Sequence, residues 1–167
     1  MSAAHVSDAV DFVSERMVPY LVHGRGQRSA AYWLSPVERS QLVKQGVPAH
    51  EVVALSDAMG LPRDQLMRVL GLARSTVERK ITQKGALSQP ESEKMLGVER
   101  LIGQVDAMVH AAQSAPPGFD AARWFAQWMV APVAALGGMA PQALLDTADG
   151  REAVSTLLYQ MQSGAYA

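Results

Sequence analysis

The chain contains no cysteine, which excludes a disulfide framework and a thiolate metal site. Charge is also scarce. Only 19% of the 167 residues are charged, below the usual quarter, so a lone small domain would be thinly coated, and an oligomer or complex is favoured. No apolar run reaches the 18 or so residues of a membrane span. Asp8, Asp11 and Glu15 interrupt any apolar leader segment near the N-terminus. Cytoplasm is the expected location. Strand-like alternation of useful length is missing as well, and the net charge of −1 argues against a generic polyanion binder.

The usual catalytic constellations are equally absent. His5, His23, His50 and His110 are scattered with no ligand spacing such as i, i+4. Gly137-Gly138 lacks the glycine pattern and the Lys-Ser/Thr of a phosphate loop, and reads as a tight turn. There is no GxSxG elbow and no acid pair beyond ordinary helix-cap carboxylates. Neither an enzyme nor a metal or cofactor site is expected.

What the chain does have is helical periodicity. Val6, Val10, Val13, Met17 and Leu21 mark a first amphipathic helix, followed by a polar linker at residues 24–29. Ser35-Pro36-Val37-Glu38 sets cap, N1 proline and N3 glutamate in register for a helix ending by Gly46. Val52, Leu55 and Met59 form a stripe closed by Gly60. Ser88-Gln89-Pro90-Glu91 opens a long helix striped by Met95, Val98, Leu101, Ile102, Val105, Met108 and Val109. Pro116-Pro117-Gly118 breaks it. Trp124, Phe125, Trp128 and Met129 then crowd one helical face, a pattern expected of core. The fold class is all-α.

Residues 62–83 have the shape of a helix-turn-helix around Gly71, packed on Leu66, Leu70, Leu72 and Val77. Six cations between residues 63 and 84 face only Asp64 and Glu78, a local charge of +4, whereas residues 110–167 carry −2. In this motif the second helix enters the major groove by its N-terminal residues. That places Arg74, Ser75, Thr76 and Arg79 at base edges, with Lys80, Lys84 and Arg63 suited to phosphates. A solvated basic face, or a motif kept for dimerisation, is open to the same residues.

The last thirty-two residues read as turn, short helix, turn, longer helix. Pro141 suits a first helical position. Asp149 and Glu152 have capping-box spacing, and Val154, Leu157, Leu158 and Met161 form one apolar stripe. Gly164 is a helix stop and Tyr166 an aromatic at the end of the sequence. Here Gly137-Gly138, Pro141, Leu144-Leu145-Asp146-Thr147, Gly150 and Gly164-Ala165-Tyr166-Ala167 resemble the C-terminal domain of Xre/MbcA/ParS-type antitoxins. The resemblance extends upstream to about Gly46. Ala140 departs from it, standing where that family usually has a Ser or Thr cap, at a cost of about 1 kcal/mol.

The resemblance implies an Xre-like helix-turn-helix domain followed by a small helical toxin-binding domain. The expected divisions are an arm and linker at 1–34, the helix-turn-helix and long helix at 35–115, and the toxin-binding part at 116–167. It also implies a partner, a RES-domain toxin that consumes NAD or transfers ADP-ribose, whose active site the C-terminal helix and tail would occlude. Arg151, Tyr159, Gln160, Gly164, Tyr166 and Ala167 are the expected contacts, with Val154, Leu157 and Leu158 facing the chain's own core. Homodimerisation and binding to operator DNA follow from the same resemblance. Two other functions fit the residues: a plain helix-turn-helix regulator whose C-terminal domain senses a ligand or oligomerises, and a helical adaptor without a DNA role.

Overall fold

Two capping boxes set the frame. In the computed structural model, which describes residues 30–113 and 115–164, helix α1 (Pro36–Gln45) begins at Ser35 and helix α5 (Gln89–Ala111) at Ser88. Each serine hydroxyl accepts from the N3 amide while the N3 glutamate, Glu38 or Glu91, accepts from the serine amide. Between them lie α2 (Glu51–Met59), α3 (Arg63–Val69) and α4 (Arg74–Thr82). After the break come α6 (Ala121–Trp128) and α7 (Ala148–Ser163), joined through short 3-10 turns at Ala134–Leu136 and Pro141–Leu144. The first amphipathic helix expected at residues 6–21 lies outside the described residues.

The all-α reading is correct for the described residues, where the one extended pairing is an isolated bridge between Pro48 and Ala86. Ser92 anchors that bridge from beneath, its hydroxyl accepting from the Val47 amide at 2.9 Å.

Helix α5 is the spine. The 3-10 turn Ala30–Tyr32, α1, α6 and α7 all pack on it, and α6 also packs on α2. Its apolar stripe is buried from Met95 to Val105, with Met95 and Val98 at 0% exposure, and half-buried at Met108 and Val109. The core cluster runs without interruption from Val52, Leu55 and Leu66 through Leu101 and Phe125 to Leu145, Val154 and Leu158. Pro116-Pro117-Gly118 thus breaks the chain, while the core continues across it. Residues 30–34 belong to the same body, since Ala31 is fully buried.

The aromatic face of α6 divides in two. Phe125 and Met129 are fully buried, whereas Trp124 and Trp128 stack on one another at the core's edge, 5.6 Å apart and 12° from parallel. Burying a side chain of this class stabilises by about 1.5–3 kcal/mol, and these positions fix α6 against α2 and α5.

Candidate functional sites

Leu66, Leu70, Leu72 and Val77 form the inner packing of the helix-turn-helix, all buried. The turn needs Gly71 at φ +60. There Lys94 of α5 donates to the Gly71 carbonyl at 2.9 Å, and an added Cβ would meet Asp146 at 3.2 Å. The motif is therefore braced by the long helix and by the segment leading into α7.

Its expected nucleic-acid contacts fall into two groups. Ser75, Arg79 and Lys84 are exposed and Thr76 half-buried. Three of the cations are held by carboxylates of the chain itself. Arg74 pairs with Asp64 at 2.7 Å, Arg63 with Glu78 at 3.3 Å, and Lys80 with Glu91. A phosphate would have to compete with those carboxylates; the +4 read from sequence already subtracts Asp64 and Glu78, and Glu91 lowers it to +3.

The second candidate site is α7. Its N-cap is Thr147, whose hydroxyl accepts from the Gly150 amide at 3.0 Å. The cap thus sits two residues before the Asp149 expected from spacing, and Asp149 falls in the first turn, where its charge favours the helix dipole. Gly150 lies against the Leu144 carbonyl, which a Cβ would approach to 2.0 Å. Ala140 offers no side-chain cap to the preceding 3-10 turn.

A polar seam joins α7 to α5. Gln104 donates to the Ser155 carbonyl at 2.9 Å and accepts from the Ser155 hydroxyl at 2.8 Å, both side chains being buried. One turn on, Arg151 donates to the Leu145 carbonyl at 3.0 Å and pairs with Glu93 at 2.9 Å. The Arg151 guanidinium lies over Gly97. Burial lowers its pKa, opposed by the charges of Glu93 and Asp146. Glu93, Gly97, Arg100 and Gln104 are spaced at i, i+4, i+7 and i+11, so the seam follows one face of α5.

The expected partner contacts on α7 are therefore placed differently from one another. Arg151 is only 7% exposed and its guanidinium is engaged inside the fold. Tyr159 is 45% exposed, and its hydroxyl lies 3.4 Å from that of Tyr32. Gln160 is exposed, and Gly164 ends the helix in the left-handed conformation. Thr156, Tyr159, Gln160, Gln162 and Ser163 border a shallow depression along this outer side. Val154, Leu157 and Leu158 face inward. Tyr166 and Ala167 lie outside the described residues. Among the described residues no cluster of three or more His, Asp or Glu could hold a metal ion, and no helix is long and apolar enough to cross a membrane.

Comparison with known proteins assigns the two parts. Residues 38–100 match the antitoxin Xre-like helix-turn-helix domain, and residues 119–164 the antitoxin Xre/MbcA/ParS C-terminal toxin-binding domain. The chain is 38% identical over 138 residues to a Prs ADP-ribosylating antitoxin of Sphingobium sp. (strain YBL2), covering 83% of this chain and 86% of that one. The chain belongs to the Xre/MbcA/ParS antitoxin family. More distant relatives are two proteins named Antitoxin Xre. One, from Photorhabdus laumondii subsp. laumondii, is 26% identical over 74% of this chain and 77% of its own. The other, from Yersinia enterocolitica, is 24% identical over 74% and 78%.

The antitoxin's toxin-binding domain is thus the part built on α6 and α7, and its core is shared with the helix-turn-helix. Residues that sequence reading passed over include Glu93, Gly97, Arg100 and Gln104. Their helical spacing was the available signal, hidden because it is a polar stripe.

Proposed function

We propose that this antitoxin neutralises a RES-domain toxin, one that consumes NAD or transfers ADP-ribose, by occluding its active site with α7 and the residues after it. The observation that carries this is the two-sidedness of α7. Its inner side is locked to α5 through Arg151 and Ser155, and its outer side leaves Tyr159, Gln160 and Ser163 exposed up to Gly164. A helix held that way presents a rigid platform, and Tyr166 and Ala167 follow it in the sequence as further contacts. Inhibition of this kind needs occupancy rather than chemistry, so the reading asks no catalytic residue of this chain. In this reading Arg151 supports the platform from within, while Tyr159, Gln160, Gly164, Tyr166 and Ala167 meet the toxin. The Sphingobium relative's name speaks of ADP-ribosylation of Prs, which supports an ADP-ribosylating partner here.

The helix-turn-helix gives the antitoxin a second role as repressor of its own operon, acting as a homodimer on an inverted repeat in the cytoplasm. Arg74, Ser75, Arg79 and Lys84 are the exposed contacts, and Thr76 lies half-buried among them.

Two experiments test the proposal. Truncation after Gln162 is expected to leave a folded helical protein that no longer protects cells expressing the toxin; full protection by the truncated form refutes occlusion by the tail. In a gel shift on upstream DNA, Arg79→Ala is expected to weaken binding more than Arg74→Ala, because Arg74 is already paired with Asp64. Unchanged binding in both variants removes α4 as the reading helix.

A further inference from the structure

A groove of about 420 Å³ lies where α1, α5 and the start of α7 meet. Val43, Leu96 and Leu101 contribute apolar surface, and Arg39 and Arg100 line it with charge. The acids along it are already engaged: Glu93 with Arg151, and Glu152 with Arg100 at 3.7 Å. Arg39 is placed differently. Its guanidinium donates to the Leu34 carbonyl. Burial first, and then the charge of Arg100, lower its pKa against the pull of Glu38. Two guanidiniums therefore repel one another in a partly desolvated place, a condition that an incoming anion relieves.

The chemistry of the lining narrows what that anion can be. A guanidinium fork matches the two oxygens of a carboxylate. Among the lining residues three arginines against two glutamates leave a single positive charge, offset in part by Glu38 beside Arg39, which one carboxylate suits and a doubly charged phosphate exceeds. Apolar surface beside the charges suits an aliphatic stem. The position is telling too. Arg100 also acts on Tyr32, whose hydroxyl neighbours that of Tyr159, so the groove adjoins the exposed side of α7.

We propose that this groove is a second anchor of the toxin interface, seating an Asp or Glu side chain of the toxin between Arg39 and Arg100. The inference rests on the reading that the chain binds a RES-domain toxin.

The test uses the full-length antitoxin co-expressed with a RES-domain toxin, with affinity measured at low and high salt for wild type, R39Q, R39K and R100Q. Each glutamine variant is expected to weaken binding about tenfold, the scale of one charged hydrogen bond. Each should also flatten the salt dependence, and R39K should recover part of both. A purely structural role would move thermal stability without moving the salt slope. Arg100 has a partly exposed side chain, so R100Q keeps the test decisive should R39Q fail to fold. Wild-type affinity and slope in R100Q overturn the groove while leaving the toxin reading intact. No binding by the wild type overturns both. Titration with glutarate distinguishes a small-molecule site: if glutarate binds wild type but not R100Q, and toxin affinity is equal in the two, the proposed anchor is wrong.

Discussion

Replacing Gly97 by alanine should do opposite things in two backgrounds. In the wild type an added Cβ would lie 2.3 Å from Arg151 Nε and 2.7 Å from its Cδ, and Arg151 has almost no room to retreat at 7% exposure. Overpacking of this sort costs about 1–3 kcal/mol. Alanine in a helix interior returns about 0.5–1 kcal/mol over glycine, so the net expectation is a loss of up to about 2.5 kcal/mol. Arg151→Ala alone leaves the buried Leu145 carbonyl without its donor, a loss of about 1.5–3 kcal/mol. Glu93 adds little to that, because at 55% exposure it regains water. With Arg151 truncated the obstacle to the new methyl is gone, and Gly97→Ala should then stabilise by about 0.5–1 kcal/mol. Urea unfolding of the four proteins, followed by far-UV circular dichroism, closes the cycle. If Gly97→Ala has the same effect in both backgrounds, the glycine does not exist to admit Arg151.

Gly150→Ala should destabilise by about 2–4 kcal/mol in the same assay, since the new Cβ meets the Leu144 carbonyl at 2.0 Å and the capping Thr147 hydroxyl at 2.7 Å; wild-type stability would show that the cap is placed wrongly. Acid should expose the Lys80–Glu91 link. Burial pushes the Glu91 carboxyl up, but hydrogen bonds from Lys80 and Ser88 outweigh it and leave the pKa below the ordinary 4.5. Its contribution is therefore complete above that ordinary value and is lost as pH falls through the lower folded one. Glu91→Gln should be less stable than wild type at neutral pH, and the gap should close on acidification; a gap that persists at the lowest pH refutes the linkage.

The helices were legible because most of them announce themselves by apolar period and by caps. Ser35/Glu38 and Ser88/Glu91 fall in register with a proline in the first turn, and Val52, Leu55 and Met59 repeat at three and four. The cap of α7 was harder to read. Asp149/Glu152 has capping-box spacing, yet the helix starts at Thr147, whose hydroxyl takes the Gly150 amide. Arg151 is expected from sequence among the toxin contacts, because sequence shows its charge and hides the hole at Gly97 that receives it. The charge of the helix-turn-helix was overstated for a similar reason. Glu91 neutralises Lys80 from a different helix, eleven residues away and outside the window in which the charge was counted.

The buried exchange between Gln104 and Ser155 differs in kind from the oily contacts around it. Leucines tolerate sliding, but an amide that must both give and receive at fixed directions permits one azimuth and one longitudinal setting of α7 on the spine. The terminal helix is thereby indexed before any encounter, and a binding event up to Ser163 need not spend entropy on aligning it. Loosening that single pair would let the outer surface wander through angles that a rigid target cannot follow.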